Sequence, residues 1–120
     1  MDKKIKSILI IPEHLSLMKS LHGMACAGSQ LMMFSTGRGA PQGFPIMPVV
    51  KVCGNPVTYR HMEGDMDINA GLIVEGAKTI EEVGEEVYRK IEEVLSGGMS
   101  KNESIQYYGS IEIYTRGPVI

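Results

Sequence analysis

The fold of this chain is decided by residues 31–53, which read LMMFSTGRGAPQGFPIMPVVKVC. Apolar runs at residues 31–34 and 49–52 begin and end the stretch and are typical of buried β-strands. Residues 34–48, which we call the glycine loop, contain Gly37, Gly39 and Gly43, whose backbones can turn tightly and approach a ligand closely. Long loops between buried strands are often functional, and a rigid structural turn is the alternative that composition leaves open.

The composition limits the class of protein. A chain of 120 residues suits a single domain over residues 1–120, and 43% hydrophobic residues are enough for a small core. A formal net charge of −2 argues against a sequence-independent nucleic-acid binder, which is usually basic. The chain has neither a bilayer-length apolar run nor a signal-peptide pattern. We therefore expect a cytoplasmic protein that binds neither nucleic acid nor membrane, with Cys26 and Cys53 as free, buried thiols.

Hydrophobic periodicity predicts an α/β fold. Residues 5–11, 15–28 and 31–35 are predicted to form a strand, a helix and a strand, which make one parallel βαβ unit. A third strand is predicted over residues 49–53, a short helix over residues 55–62 and an edge strand over residues 111–116. The longest helix is predicted over residues 79–96, because Thr79 and Glu82 have the spacing of a capping box and an apolar stripe follows. The elements predict a small three-layer, Rossmann-like domain with a mainly parallel sheet.

Ligands of such sheets bind outside the carboxyl ends of the strands, where the glycine loop and residues 53–71 should meet. Within the loop, Arg38 offers a planar fork of donors suited to a carboxylate or phosphate. We expect its guanidinium to be exposed and free for a ligand, the alternative being a structural arginine buried against Asp65, Asp67 or loop carbonyls. The loop lacks the glycine patterns of phosphate-binding and dinucleotide-binding loops, which disfavours a nucleotide ligand.

A second candidate is the acidic segment, residues 65–71, which reads DMDINAG. If the segment is extended, alternation places Asp65, Asp67 and Asn69 on one side, where their oxygens could hold a hard cation or bind a polyhydroxylated substrate. A surface turn capped by aspartates is the interpretation that composition alone favours. His61 lies just before this segment and is the general-base candidate by position. The sequence offers no clear set of metal ligands.

These blocks resemble the C-terminal region of altronate and galactarate dehydratases. The resemblance covers most of residues 8–117 and is carried by Phe34-Ser-Thr-Gly-Arg-Gly39, Pro48-Val-Val-Lys-Val52, Asn55-Pro56 and the acidic segment. It implies a hydro-lyase, a carbon–oxygen lyase that dehydrates a sugar acid to a 2-keto-3-deoxy product with a divalent metal, commonly iron. The implied substrate-binding residues are Ser35, Thr36, Gly37, Arg38, Gly39, Asn55 and Asn69. The candidate catalytic residues are His61, by its position, with Asp65 and Asp67, and the metal ligands are unknown.

The chain also departs from the family it resembles. Family enzymes are several times longer, and their proline-glycine-x-aspartate and threonine-glycine motifs are replaced here by Pro12-Glu-His-Leu15 and His22-Gly23. The resemblance therefore implies a larger dehydratase subunit or N-terminal domains that carry most metal ligands and complete the enzyme. Whether the chain also forms a homo-oligomer is open. The alternative function is a non-catalytic carboxylate-binding or assembly domain that keeps the loop.

Overall fold

The computed structural model describes residues 17–108, with side chains from residue 20 onward. The helices of this range are α1 (Leu17–Cys26), α2 (Pro56–His61), α3 (Gly71–Val74), α4 (Ile80–Leu95) and α5 (Lys101–Ser104). The strands are β1 (Met32–Thr36), β2 (Val49–Cys53) and β3 (Ile68–Asn69). The predicted strand at residues 49–53 is therefore confirmed with its bounds, and the strand predicted at residues 31–35 lies one residue later in the chain.

The three strands form one parallel sheet in the order β1-β2-β3. Thr36 pairs with Cys53 and Cys53 pairs with Asn69, so the last residues of all three strands lie side by side. This confirms the predicted α/β fold with a parallel sheet. The predicted strands at residues 5–11 and 111–116 lie outside the described residues, and the three-layer, Rossmann-like arrangement stays a prediction.

Apolar clusters cover both faces of the sheet, because successive residues of a strand point to opposite sides. On one face, Val49 packs with Met32, with Leu21 of α1, and with Phe44 and Met47 of the glycine loop. On the other face the cluster is formed by β2, β3 and α4, and its buried members are Val50, Val52, Ile68, Val83 and Val94. The glycine loop therefore supplies core residues as well as surface.

The best-marked helix of the sequence forms as predicted. Thr79 Oγ1 accepts from the Glu82 backbone N–H at 3.2 Å, and Glu82 Oε2 accepts from the Thr79 N–H at 2.7 Å, which completes the capping box. The apolar stripe buries Val83 and Ile91, whereas Ile80 in the first turn remains 69% exposed. At the end of α1, Gly28 adopts a φ of 87°, the left-handed conformation that glycine tolerates at helix ends.

Several features differ from the sequence-based expectations. β3, α3 and α5 were not predicted, because elements of two to four residues carry no periodic signal. Cys53 is buried as expected, but Cys26 is exposed, since it ends α1 rather than facing the sheet. Among residues 17–108, no helix combines the length and apolar character needed to cross a membrane.

Candidate functional site

The carboxyl edge of the sheet, where β1, β2 and β3 end at Thr36, Cys53 and Asn69, gathers three loops. The Gly54 N–H donates to the Thr36 carbonyl at 2.9 Å, and the Ala70 N–H donates to the Cys53 carbonyl at 2.9 Å. These bonds continue the parallel pairing of the sheet one residue past the ends of β2 and β3. The start of the glycine loop is therefore held beside the segment that follows β2.

Arg38 lies in the first turn beyond β1 and is exposed. None of residues 17–108 forms a hydrogen bond or an ion pair with its guanidinium. On its C-terminal side, Gly39 has a φ of 74°, and an added Cβ there would lie 3.1 Å from Met62 Sδ and 3.3 Å from Thr58 Cγ2. The backbone beside Arg38 is thus packed against α2, while its guanidinium stays exposed and unpaired within residues 17–108.

Thr36, two residues before Arg38, carries an unusual hydroxyl group. Its Oγ1 atom is buried and has no hydrogen-bond partner among the described residues. A buried hydroxyl without a partner costs free energy, commonly about 1–3 kcal/mol. The exposed Ser35 and the exposed Gly37 flank it. The end of β1 therefore has an unused donor and acceptor next to a free cation.

The two asparagines of the predicted site use their side-chain oxygens to build the edge. Asn55 Oδ1 accepts from the N–H groups of Val57 and Thr58 at 2.9 and 3.1 Å and caps α2. Asn69 Oδ1 accepts from the Gly71 N–H at 3.1 Å. Neither amide nitrogen has a recorded partner among residues 17–108, so both remain available as donors. Gly71 is required because any Cβ there would overlap the Pro56 backbone.

Asp67 lies away from the carboxyl edge, just before β3, and its carboxylate is fully engaged. Oδ2 accepts from the Lys51 backbone N–H at 2.9 Å, and Oδ1 accepts from the Lys101 backbone N–H at 2.9 Å. The Asp67 N–H donates in turn to the Lys51 carbonyl at 3.0 Å. This carboxylate therefore joins the middle of β2 to the first residue of α5.

Asp65 differs from Asp67 in having no hydrogen bond to its carboxylate within the described part of the chain. Its backbone N–H donates to the Met62 carbonyl at 2.9 Å, so residue 65 belongs to a turn. The acidic segment is extended only from Ile68 to Asn69, and the alternation that would align Asp65 with Asn69 does not apply.

His61 is the last residue of α2 and is exposed. Its Nδ1 atom lies 2.9 Å from the Val57 carbonyl oxygen, one turn earlier. Asn55 caps the opposite end of the helix, about 9 Å away along the axis at 1.5 Å per residue. The structure therefore groups Arg38, Thr36, Asn55 and Asn69 near the carboxyl edge. It places His61 at the far end of α2, and Asp65 and Asp67 in the segment between α2 and β3.

Lys51 is a polar residue of this region that the sequence analysis did not single out. It is 1% exposed in the middle of β2, and its Nζ atom donates to the Pro41 carbonyl in the glycine loop at 2.5 Å. Burial lowers the pKa of Lys51, and the negative charges of Asp67 and Asp65 act in the opposite direction. The available signal was a single lysine inside the apolar run VVKVC.

A divalent metal does not fit the side chains of residues 17–108 alone. In this range, no three or more His, Cys, Asp or Glu side chains lie close enough to hold a metal ion. Both carboxylate oxygens of Asp67 already accept backbone N–H groups.

Comparison with known proteins supplies the context of this edge. Residues 6–119 match the family model described as D-galactarate/altronate dehydratase, C-terminal. Galactarate dehydratase (L-threo-forming) of Escherichia coli strain K12 is 36% identical over 95 residues, which are 78% of this chain and 18% of that protein. Altronate dehydratase of Bacillus subtilis strain 168 is 39% identical over 80 residues, 67% of this chain and 16% of that protein.

A relative named for a different reaction is the (2R)-sulfolactate sulfo-lyase subunit beta of Chromohalobacter salexigens. It is 28% identical over 81 residues, which are 68% of this chain and 21% of that subunit. The chain thus spans between 16 and 21% of the length of these relatives. Since the family model covers nearly the whole sequence, this chain belongs to the D-galactarate/altronate dehydratase C-terminal family.

Proposed function

We propose that this chain is the carboxylate-binding part of a sugar-acid dehydratase, in which Arg38 binds the acid group of the substrate. The observation that carries the proposal is the exposed guanidinium at the carboxyl edge, which has no partner among residues 17–108. Membership of the dehydratase family supports the reaction class. The shared chemistry of galactarate, altronate and sulfolactate supports the ligand class, since each is a hydroxy acid with a carboxylate.

The neighbouring groups suit the rest of such a substrate. A guanidinium binds a carboxylate through two parallel N–H···O bonds, and the backbone amides of Gly37 and Gly39 lie on either side of Arg38. The exposed hydroxyl of Ser35 would bond a substrate oxygen. The Thr36 hydroxyl is buried without a partner in the described structure, and it would bind substrate only after a local opening of the loop. The free amide nitrogens of Asn55 and Asn69 would donate to substrate hydroxyls.

The chemistry follows from where negative charge develops. Dehydration takes a proton from the carbon beside the carboxylate and a hydroxide from the next carbon, which leaves one water and an enol that becomes the 2-keto-3-deoxy acid. Loss of the proton spreads negative charge onto the carboxylate, where Arg38 stabilises it. His61, Asp65 and Asp67 remain the proposed catalytic residues. The two backbone bonds of Asp67 support a positioning role for it more than proton transfer.

The remaining parts of the enzyme are proposed to lie in a larger polypeptide or in further domains. The matched region is 16 to 21% of each relative, and one of the relatives is named as a subunit, which supports an assembly. We place most ligands of a divalent metal, commonly iron in the resembled family, outside residues 17–108, in line with the poor fit of those residues. When bound, that metal would polarise the substrate. The proposed location of the complete enzyme is the cytoplasm.

Calorimetric titration of the full chain with galactarate, altronate and (2R)-sulfolactate tests the ligand site. We expect Arg38→Ala to weaken binding by about 1.5–3 kcal/mol, since one charge-assisted bidentate contact is lost. The matched control is Arg89→Ala on α4, because Arg89 is also exposed but already pairs with Glu85 at 3.1 Å. This control should bind like the wild type.

Reconstitution tests the enzyme class. Dehydration of the same acids is measured for the larger family polypeptide with and without this chain, and with the Arg38→Ala variant. Activity that requires the wild-type chain supports the proposal, whereas full activity without it refutes it. If the chain binds the acids but does not change the rate of dehydration, the non-catalytic alternative is favoured.

A further inference from the structure

A buried lysine supports the loop that carries Arg38. Lys51 lies in β2 between Val50 and Val52 and is 1% exposed. Alternation along the strand puts it on the face of Val49, which is the face covered by Phe44 and Met47 of the glycine loop. Its ammonium group therefore lies under the loop rather than in solvent.

The surroundings of this ammonium do not compensate for burying its charge. Within residues 17–108 no carboxylate lies within 4.0 Å of Nζ, and the recorded acceptor is the Pro41 carbonyl. Asp67 and Asp65 influence the pKa of Lys51 only from longer range, and burial outweighs them. An apolar side chain of similar volume often replaces a buried charge at no cost or with a gain in stability. The lysine therefore needs a reason other than packing.

The hydrogen bond from Lys51 to the Pro41 carbonyl suggests that reason. Pro41 follows Arg38 by three residues, in the part of the loop between two other attachments. On one side Gly39 packs against α2, and on the other the Gly43 N–H donates to the Tyr107 carbonyl at 3.2 Å. The bond from Lys51 fixes the loop backbone between these two points from inside the molecule.

We propose that Lys51 is a positioning residue whose buried ammonium, by donating to the Pro41 carbonyl, holds the glycine loop in the conformation that presents Arg38 at the carboxyl edge. The effect on ligand binding rests on the proposed function of Arg38. The effect on the loop does not depend on any ligand. Lys51 thus controls the carboxylate site without contacting the carboxylate.

The test is Lys51→Met, which replaces the apolar stem of lysine by one of similar size and removes the terminal donor. We expect a stability in urea equal to or above that of the wild type. We also expect amide hydrogen exchange at residues 37–43 to become faster by about tenfold or more, as the loop opens locally. The dissociation constant for galactarate should rise by a similar factor, about tenfold, because the binding conformation is then less populated.

The matched control is Lys101→Met, since Lys101 Nζ also donates to a backbone carbonyl, that of Glu63, but away from the loop. It should change neither loop exchange nor affinity. Unchanged loop exchange in Lys51→Met overturns the inference, even if affinity falls, because the lysine would then act on the ligand directly. If loop exchange becomes faster in Lys51→Met but the wild-type protein binds none of the acids, the proposed function is refuted and the inference about the loop stands.

If Lys51→Met does not fold, Lys51→Arg decides, because a guanidinium can still donate to the Pro41 carbonyl. Folding with wild-type loop exchange supports the inference. A released loop in that variant, or failure of both variants to fold, overturns it, since the lysine would then be needed by the core.

Discussion

The glycine loop and the acidic segment carry the two strongest motifs of this chain, yet their charged residues are used in opposite ways. Arg38 is exposed and has no partner among residues 17–108, whereas both carboxylate oxygens of Asp67 accept backbone N–H groups. One region leaves its charge unpaired among the described residues, and the other uses its charge to connect the fold. A motif residue can therefore be assigned to binding or to architecture only after its hydrogen bonds have been traced.

The acidic segment needs its carboxylate because β3 is only two residues long. The Lys51 N–H of β2 has no strand carbonyl opposite it at this level, and the side chain of Asp67 supplies the acceptor instead. In the glycine loop the charged side chain is not needed to connect the fold. Gly39 allows the backbone to lie against α2, and Arg38, next to it, faces outward.

The largest effect is expected from Asp67→Ala. The variant leaves the N–H groups of Lys51 and Lys101 without their charged acceptor, and we expect the free energy of unfolding to fall by about 3 kcal/mol. Urea denaturation measures it. Asp65→Ala is the control and should change stability by no more than about 0.5 kcal/mol, since no described residue bonds to its carboxylate. Equal losses at the two positions would contradict the contrast between binding and architecture.

Gly39→Ala tests whether the loop itself is partly architectural. Alanine at a φ of 74° is strained, and its Cβ would crowd Met62 Sδ at 3.1 Å, so we expect a loss of about 1–2 kcal/mol in thermal or urea unfolding. Gly37→Ala is the matched control, because nothing lies within 4 Å of a Cβ at that position. Its stability should stay within about 0.5 kcal/mol of the wild type. A larger loss of stability in Gly37→Ala than in Gly39→Ala would mean that Gly37 is the residue whose backbone the turn requires.

The pH dependence of stability sharpens the role of Lys51. Burial lowers the pKa of Lys51 below its usual 10.5, and Asp67 and Asp65 only partly oppose this. Between the lowered value and 10.5 the unfolded protein binds more protons than the folded protein, so the contribution of Lys51 to stability rises with pH. Burial raises the pKa of Tyr59 above 10.0, which acts in the opposite sense at still higher pH.

The measurement is the difference in unfolding free energy between the wild type and Lys51→Met across alkaline pH. Taking the difference removes the contribution of Tyr59, which both proteins share. The unfolding free energy of the wild type should rise relative to that of Lys51→Met as the pH approaches 10.5. A difference that is flat or falls with pH would contradict a buried, charge-bearing lysine.

The smallest effect on stability is expected from Arg38→Ala. With no partner to lose among the described residues, the melting temperature should stay within about 2 °C and the unfolding free energy within about 0.5 kcal/mol. Differential scanning calorimetry measures both. A drop of many degrees would show that Arg38 has a structural partner, and Arg38 would then join Asp67 on the architectural side of the comparison.

The elements that were predictable are those whose signal is local. Thr79 and Glu82 fix the start of α4 through their own hydrogen bonds, and Pro56 after Asn55 marks the start of α2 in the same way. The strand β2 was equally predictable, because four of its five residues are apolar. The exposure of Arg38 could be expected from its two glycine neighbours, although its ligand stays a proposal.

The features that were missed depend on contacts between distant segments. β3 exists because Ile68 meets Val52, and two residues give no periodicity to detect. The engagement of Asp67 depends on amides 16 and 34 residues away, which no spacing rule relates to it. The burial of Lys51 depends on where the glycine loop crosses β2, so an isolated lysine in an apolar run was the only sign.

The bonds of Asp67 also have a consequence for the order of folding. They join segments 16 and 34 residues apart, so they can form only after the intervening chain, including α4, has been brought into place. Closing such loops costs entropy that local helices do not have to overcome, and contacts of this kind tend to form late. Loss of the carboxylate should then appear mainly as faster unfolding, with a refolding rate close to that of the wild type. The acidic segment would thus determine how long the native state persists more than how quickly it is reached.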